Sequence, residues 1–170
     1  MKALLAPALL GAAALAAAPL AANTPTPEAL AVMEGVSDFF DALSNDDKTA
    51  LARQMIPEGM IFIHDRRTPD APRLAMVPVA KHLENWLTSP DEVAEIMYIE
   101  SVRVDGDMAQ VWGPYYFTIA GSLSHCGINS LSMVKREGRW LVANTSFTME
   151  APEACADTVA EVNSHFEFAR

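Results

Sequence analysis

AQVWGPYYFTIAGSLSHCGINSLSMVKREGRWLVANTSFTM, residues 109–149, is the stretch whose reading decides the fold. Its aromatic and β-branched residues fall into three strand-length runs, and Ala120-Gly121-Ser122 and Glu137-Gly138 supply the turn residues between them. Three runs joined by such short connections predict an antiparallel meander. The helical patterns all but one lie upstream, so the expected class is α+β: a curved antiparallel sheet packed on N-terminal helices, with a pocket in its concavity.

Upstream, Thr26 is placed to cap a helix that Pro27 begins, where a missing N–H costs nothing. Leu30, Met33, Val36, Phe40 and Leu43 follow at spacings of three and four, a stripe that reads as core, with Glu34, Asp38 and Asp41 turned to water. Ser44-Asn45-Asp46-Asp47 predicts a second short helix through Met55, stopped by Pro57 and Gly59. Met60 to Ile63 is a buried strand that ends at His64-Asp65-Arg66-Arg67, followed by a proline-bearing loop to Arg73. A third helix runs from Val77-Pro78 to Leu87 with Val79, Leu83 and Trp86 on its apolar side. Glu95 to Val104 is a strand with mixed faces, turned by Asp105-Gly106 into the run from Met108. Beyond the meander, Asp157 to Phe168 carries Val159, Val162 and Phe166 at helical spacing.

The chain's 170 residues, 51% hydrophobic and 20% charged, suit one globular domain with a sizeable core. Twelve basic against 22 acidic residues give a net charge of −10, which repels phosphate backbones and argues against a nucleic-acid partner. Residues 1–22 read as a cleavable signal peptide: Met1-Lys2 is a basic start, Ala3 to Ala18 is an uncharged run, and Pro19-Leu20-Ala21-Ala22 closes it with small residues. The weakly hydrophobic alanines and Pro7 argue against a membrane anchor, so the expectation is a periplasmic or secreted protein free of the membrane after cleavage behind Ala22. Residues 23–27 are then a linker, 28–150 the domain and 151–170 a C-terminal tail. Two cysteines, Cys126 and Cys155, in an exported chain predict a disulfide tying that tail to the sheet, the other reading being two reduced, buried thiols.

Val111-Trp112-Gly113-Pro114-Tyr115, Gly121, Ser124-His125-Cys126-Gly127 and Gly138-Arg139-Trp140-Leu141-Val142-Ala143, with this element order, resemble the nuclear transport factor 2-like superfamily over residues 28–149. Within it they look like the bacterial branch named for lumazine binding. The resemblance implies a cone of curved sheet with three helices, a pocket inside it, and homodimers joined through the outer sheet face. It also implies a choice of chemistries, because the superfamily holds isomerases, dehydratases, polyketide cyclases and plain binding domains.

Candidate site residues follow from alternation along the strands. His125 and Asn129 share a face with Leu131 and Met133, whereas Cys126, Ile128 and Ser130 take the other; a thiol and imidazole dyad of neighbours is thereby excluded. Tyr115 shares the pocket face with Phe117, and Trp112 with Tyr116 takes the outer face, where an aromatic patch suits a dimer. Asn144 and Ser146 follow Trp140 and Val142 on one face of the last strand, as cavity hydrogen-bonding groups. His64, at the end of the first strand and near the cone's mouth by resemblance, is placed for general base work. His64, His82, His125 and His165 lie on different elements without ligand spacing, and no nucleotide-binding or serine-hydrolase motif occurs, so neither metal nor cofactor is expected. Two functions remain. The first is an exported protein that binds a small, largely apolar molecule through Tyr115, His125, Asn129 and Asn144. The alternative is a lyase or isomerase, resembling ketosteroid isomerases or dehydratases, with His64 or His125 as its acid/base group. Two titratable groups converging in one cavity would favour the enzyme.

Overall fold

Thr26 accepts a hydrogen bond from the Ala29 N–H at 3.2 Å, and Pro27 opens helix α1, Pro27–Leu43. The computed structural model describes residues 24–90 and 92–167; the leader, residues 1–22, lies outside them. Strands β1 (Met60–Asp65) and β2 (Arg73–Pro78) come next, followed by helix α2 (Val79–Trp86). Then β3 (Val93–Met97), β4 (Ser101–Asp105), β5 (Met108–Ile119), β6 (Ser122–Arg136) and β7 (Arg139–Met149) complete the sheet, and helix α3 (Ala156–Glu167) closes the chain. Ala120-Gly121 and Glu137-Gly138 have positive φ at both central residues, which matches the twist of the hairpins they join.

The sheet is mixed rather than purely antiparallel. Its order is β2-β1-β7-β6-β5-β3, with β4 also on β5, and β1 runs parallel to β7 with Ile61 opposite Thr145. Of the three helices expected before the sheet, two are found, and the remaining helix is C-terminal. Between α1 and β1 there is only a 3-10 turn, Ala50–Arg53. The Asn45 amide oxygen accepts from the Asp47 N–H and the Asp47 carboxyl from the Thr49 N–H, and β7 then captures the next residues through bonds between Val142 and both Gln54 and Ile56. No residues are left to extend a helix. The buried stripe of α1 is Val32, Gly35, Val36, Phe39, Ala42 and Leu43, turned from the expected one, and Leu30 is exposed. Gly35 allows this, because a Cβ there would collide with Trp140.

The expected loop up to Arg73 gives way to β2, paired in register with β1 from Met60 opposite Pro78 to Asp65 opposite Arg73. Proline suits the end of this edge strand, which has no neighbour needing its N–H. The single strand expected over Glu95 to Val104 is two. It kinks at Tyr98 to Glu100, whose backbone still bonds to Pro114 and Trp112. Gly113 permits the kink, since any side chain at that position would overlap the Tyr98 carbonyl. Pro114 leaves the β5–β6 register intact, and the irregularity falls later, where Phe117 faces His125 but Thr118 faces Leu123.

A second bulge lies in β7, where Ser132 faces Asn144 but Met133 faces Val142, leaving Ala143 unpaired. It inverts the alternation, so Trp140 and Val142 point inward and so do Thr145, Phe147 and Met149. The core under the sheet is α1 packed on β7, β3 and β4, with Val32, Leu51, Val111, Leu131, Met133 and Val142 almost fully buried. On the opposite side α3 lies on β5 and β6. The Cys126–Cys155 disulfide anchors it, Tyr116 donates to Asn163 at 3.0 Å, and the Tyr98 and His165 rings stack 3.4 Å apart. Among the described residues no helix is long and apolar enough to cross a membrane.

Candidate functional site

Between the inner sheet face and the helices α1 and α2 lies a cavity of about 250 Å³. Phe39, Trp86, Phe117, Phe147, Leu131 and Ile63 make most of its wall apolar; Tyr115, His125, Asn129, Thr145, Glu95 and His82 supply its polar groups. Strand alternation delivers these side chains. Glu95 on β3 faces Phe117 on β5, which faces His125 on β6, so the three form a row across the sheet.

His125 is buried, stacked on Phe117 at 5.0 Å between centroids and edge-on to Tyr115 at 5.8 Å. Its Nδ1 sits 3.1 Å from the Ser124 hydroxyl. Burial, and then the Arg67 guanidinium, push its pKa down to about 4 against a small opposing pull from Asp65, so the ring is neutral at ordinary pH. Arg67 and Arg73 in turn hydrogen-bond Asp65 at 2.9 Å and 3.1 Å and hold its carboxyl well below the usual range.

Tyr115 donates its hydroxyl to the Thr148 carbonyl at 2.8 Å, and burial raises its pKa out of reach. Gly127 makes room for that carbonyl, because a Cβ at 127 would overlap it. The phenol is therefore a fixed wall, not a free donor.

Asn129 is buried and donates its amide N–H to the Glu95 carboxyl, with the Met97 sulfur 3.9 Å away. Burial raises the Glu95 pKa to about 7, and the Asn129 bond offsets only part of that. Glu95 keeps partial solvent access as a residue while its carboxyl is surrounded by protein. Asn129 is its one hydrogen-bond partner among the described residues, and no lysine or arginine lines the cavity. His82, whose ring lies 5.5 Å from that of Trp86, is lowered in pKa by burial alone.

Of the expected site residues, Tyr115, His125 and Asn129 line one cavity. Asn144 does not: the β7 bulge turns it away, and its side-chain oxygen accepts from the Met60 N–H at 2.8 Å, joining β1 to β7. Gly59 provides the clearance for this bulge, since a side chain there would strike the Ala143 carbonyl. His64 is absent from the wall as well. Its neighbours Ile61 and Ile63 face the cavity, and its Nε2 lies 3.2 Å from the Ser146 hydroxyl on the opposite face.

Two titratable wall residues escaped the sequence reading. Glu95 required the strand register before its inward aim was visible. His82 had a local signal, because it falls with Val79, Leu83 and Trp86 at helical spacing on α2. Among the described residues, no three metal-ligating side chains come together.

No protein-family profile matches this chain, and no curated protein matches it in sequence. Solved structures do match in shape. An NTF2-like protein of unknown function from Shewanella baltica is 16% identical, covering 75% of this chain and 97% of its own, with a TM-score of 0.55. An NTF-2 like protein of unknown function from Silicibacter pomeroyi is 18% identical, covering 75% and 99%, with a TM-score of 0.53. A protein of unknown function with a cystatin-like fold from Nostoc punctiforme is 11% identical, covering 73% and 92%, with a TM-score of 0.55. At such identities the likeness concerns architecture, and on that ground this chain has the nuclear transport factor 2-like, cystatin-like fold.

Proposed function

We propose that this chain binds a small, largely apolar molecule in the cavity between its sheet and the helices α1 and α2. The observation that carries the reading is the wall itself: aromatic and aliphatic side chains surround about 250 Å³, with Asn129, Glu95 and His125 among its few polar groups. Ligand pockets have this composition, and the volume falls just below the roughly 300–1,000 Å³ usual for drug-sized molecules, so a compound of one or two rings fits. The narrower resemblance to the lumazine-binding branch agrees with a heterocyclic occupant. Export behind Ala22 and retention in the periplasm are part of the proposal, supported by the Cys126–Cys155 disulfide, a bond typical of oxidising compartments. Homodimer formation would use the outer sheet face not covered by α3, where Leu74, Met76 and Trp112 are exposed. Mass spectrometry of small molecules released from protein purified from its own periplasm tests the binding reading: an enriched compound supports it, and empty protein argues against it.

A lyase or isomerase is the second reading, and one observation favours it. Glu95, with a pKa of about 7 inside the cavity, populates both protonation states near neutral pH, which acid/base catalysis requires. His125, neutral to about pH 4, is left as a hydrogen-bonding group rather than a proton carrier at that pH. Incubating the retained compound with protein in heavy water separates the readings. Deuterium incorporation that is lost in Glu95→Gln indicates catalysis; an unchanged mass indicates binding alone.

A further inference from the structure

Resting on the binding reading of this same cavity, we propose that Glu95 and Asn129 form a polar anchor selecting weakly basic nitrogen heterocycles, and that the cavity rejects carboxylates and phosphates. Charge on the wall comes from a single carboxyl. No lysine or arginine lines the wall, and Arg67, whose charge is felt at His125, is already paired with Asp65 at 2.9 Å, so an anionic ligand would be desolvated there without a free cation to compensate it. It would also face Glu95. A ring nitrogen meets the opposite situation: the one bond from Asn129 goes to one oxygen of Glu95, and the other oxygen has no partner among the described residues. A carboxyl and a weak base share one proton between them as either a neutral pair or an ion pair, and both forms carry no net charge. The raised pKa of Glu95 brings its proton affinity close to that of such a base, where sharing is strongest.

The groups around Glu95 leave this role to it. Asn129 is neutral, Tyr115 is committed to Thr148, and His125 is uncharged and stacked on Phe117. The aromatic rings of Phe39, Phe117, Phe147 and Trp86 favour a flat molecule, and they favour it further when it carries partial positive charge. The net charge of −10 over the whole chain acts in the same sense at longer range, drawing cations and repelling anions.

Three bicyclic probes test this: isoquinoline and naphthalene, equal in heavy atoms, and 2-naphthoate, larger by its carboxylate, titrated into the full chain at pH 7 with intrinsic tryptophan fluorescence as readout. Isoquinoline is expected to bind about tenfold more tightly than naphthalene, the value of one good hydrogen bond to a charged or proton-sharing group. 2-Naphthoate is expected to show no saturable binding. In the double variant Glu95→Leu with Asn129→Leu, which removes both polar partners from the wall, the preference for isoquinoline should fall to within about twofold. The wild-type comparison among probes needs no variant, so a folding defect in that double variant leaves the test intact. Equal affinity for isoquinoline and naphthalene, or saturable binding of 2-naphthoate, overturns the inference while leaving the binding reading in place. Failure of all three to bind overturns both.

Discussion

Replacing Glu95 by glutamine should stabilise this protein, and by an amount that grows with pH. The carboxyl moves from an ordinary 4.5 in the unfolded chain to about 7 in the fold. The folded state therefore holds a proton that the unfolded state has lost between those values, and stability falls as pH rises through that window. At about 1.4 kcal/mol per tenfold change in proton affinity, the full loss is about 3 kcal/mol, complete above pH 8. Residual solvent access to Glu95 makes that an upper bound. His125 works in the opposite sense: its pKa drops from 6.5 to about 4, so stability attributable to it is lost as pH falls through 6.5 toward 4. In the wild type the two slopes largely cancel between pH 4.5 and 6.5. The difference between wild type and Glu95→Gln removes the histidine contribution and isolates the carboxyl. Urea unfolding of both proteins at pH 4.5, 6, 7 and 8, followed by circular dichroism, measures it. A difference near zero at pH 4.5 that rises by about 2 to 3 kcal/mol in favour of the glutamine variant by pH 8 is the expected result. A constant difference across that range would refute the buried-carboxyl account of this cavity.

Opening the disulfide with Cys126→Ser and Cys155→Ser together should cost about 3 to 4 kcal/mol, the chain-entropy value for a separation of 29 residues. At 2 to 4 °C per kcal/mol, thermal melting should drop by roughly 10 °C, and a drop matched by reductant on the wild type confirms the bond as its source. Gly113→Ala should destabilise by about 2 to 4 kcal/mol by chemical denaturation, because the added methyl displaces the Tyr98 carbonyl and the edge kink with it. Tyr115→Phe loses the bond to Thr148 and should cost about 1 kcal/mol in the same assay. Asn129→Leu removes the donor that lowers the Glu95 pKa, so that carboxyl, followed by infrared titration, should lose its proton at a higher pH than in the wild type.

Local patterns carried the meander, its two turns, the Thr26 cap and the C-terminal helix, because each rests on residues close together in the chain. Non-local pairing was beyond reach. Leu74 and Met76 of β2 remain exposed, so that strand shows no buried period and exists through its ladder with β1. The parallel pairing of β1 with β7 joins residues more than eighty positions apart. In the site, His125 and Asn129 kept the alternation that was assumed for them. Asn144 did not, because one unpaired residue, Ala143, reverses every side chain beyond it and no local feature of β7 announces the bulge. The glycine that accommodates it, Gly59, stands on a different segment, where its sequence context suggests only the end of a helix. Glu95 looked like an ordinary charge on a mixed strand until the register put it beside Phe117.

The C-terminal helix has one more implication. By lying on β5 and β6, with Val162 fully buried and the disulfide at its root, α3 acts as a permanent occupant of one end of the sheet's back. Any companion approaching from behind meets either the open part of that face, where Leu74, Met76 and Trp112 are exposed, or a helix whose displacement is made harder by the bond holding its root to β6. A thiol reagent in the buffer would remove that tether and leave α3 held by Val162, the Tyr116–Asn163 bond and the Tyr98–His165 stack, so association measured in reducing solution concerns a looser back surface than association measured in oxidising solution.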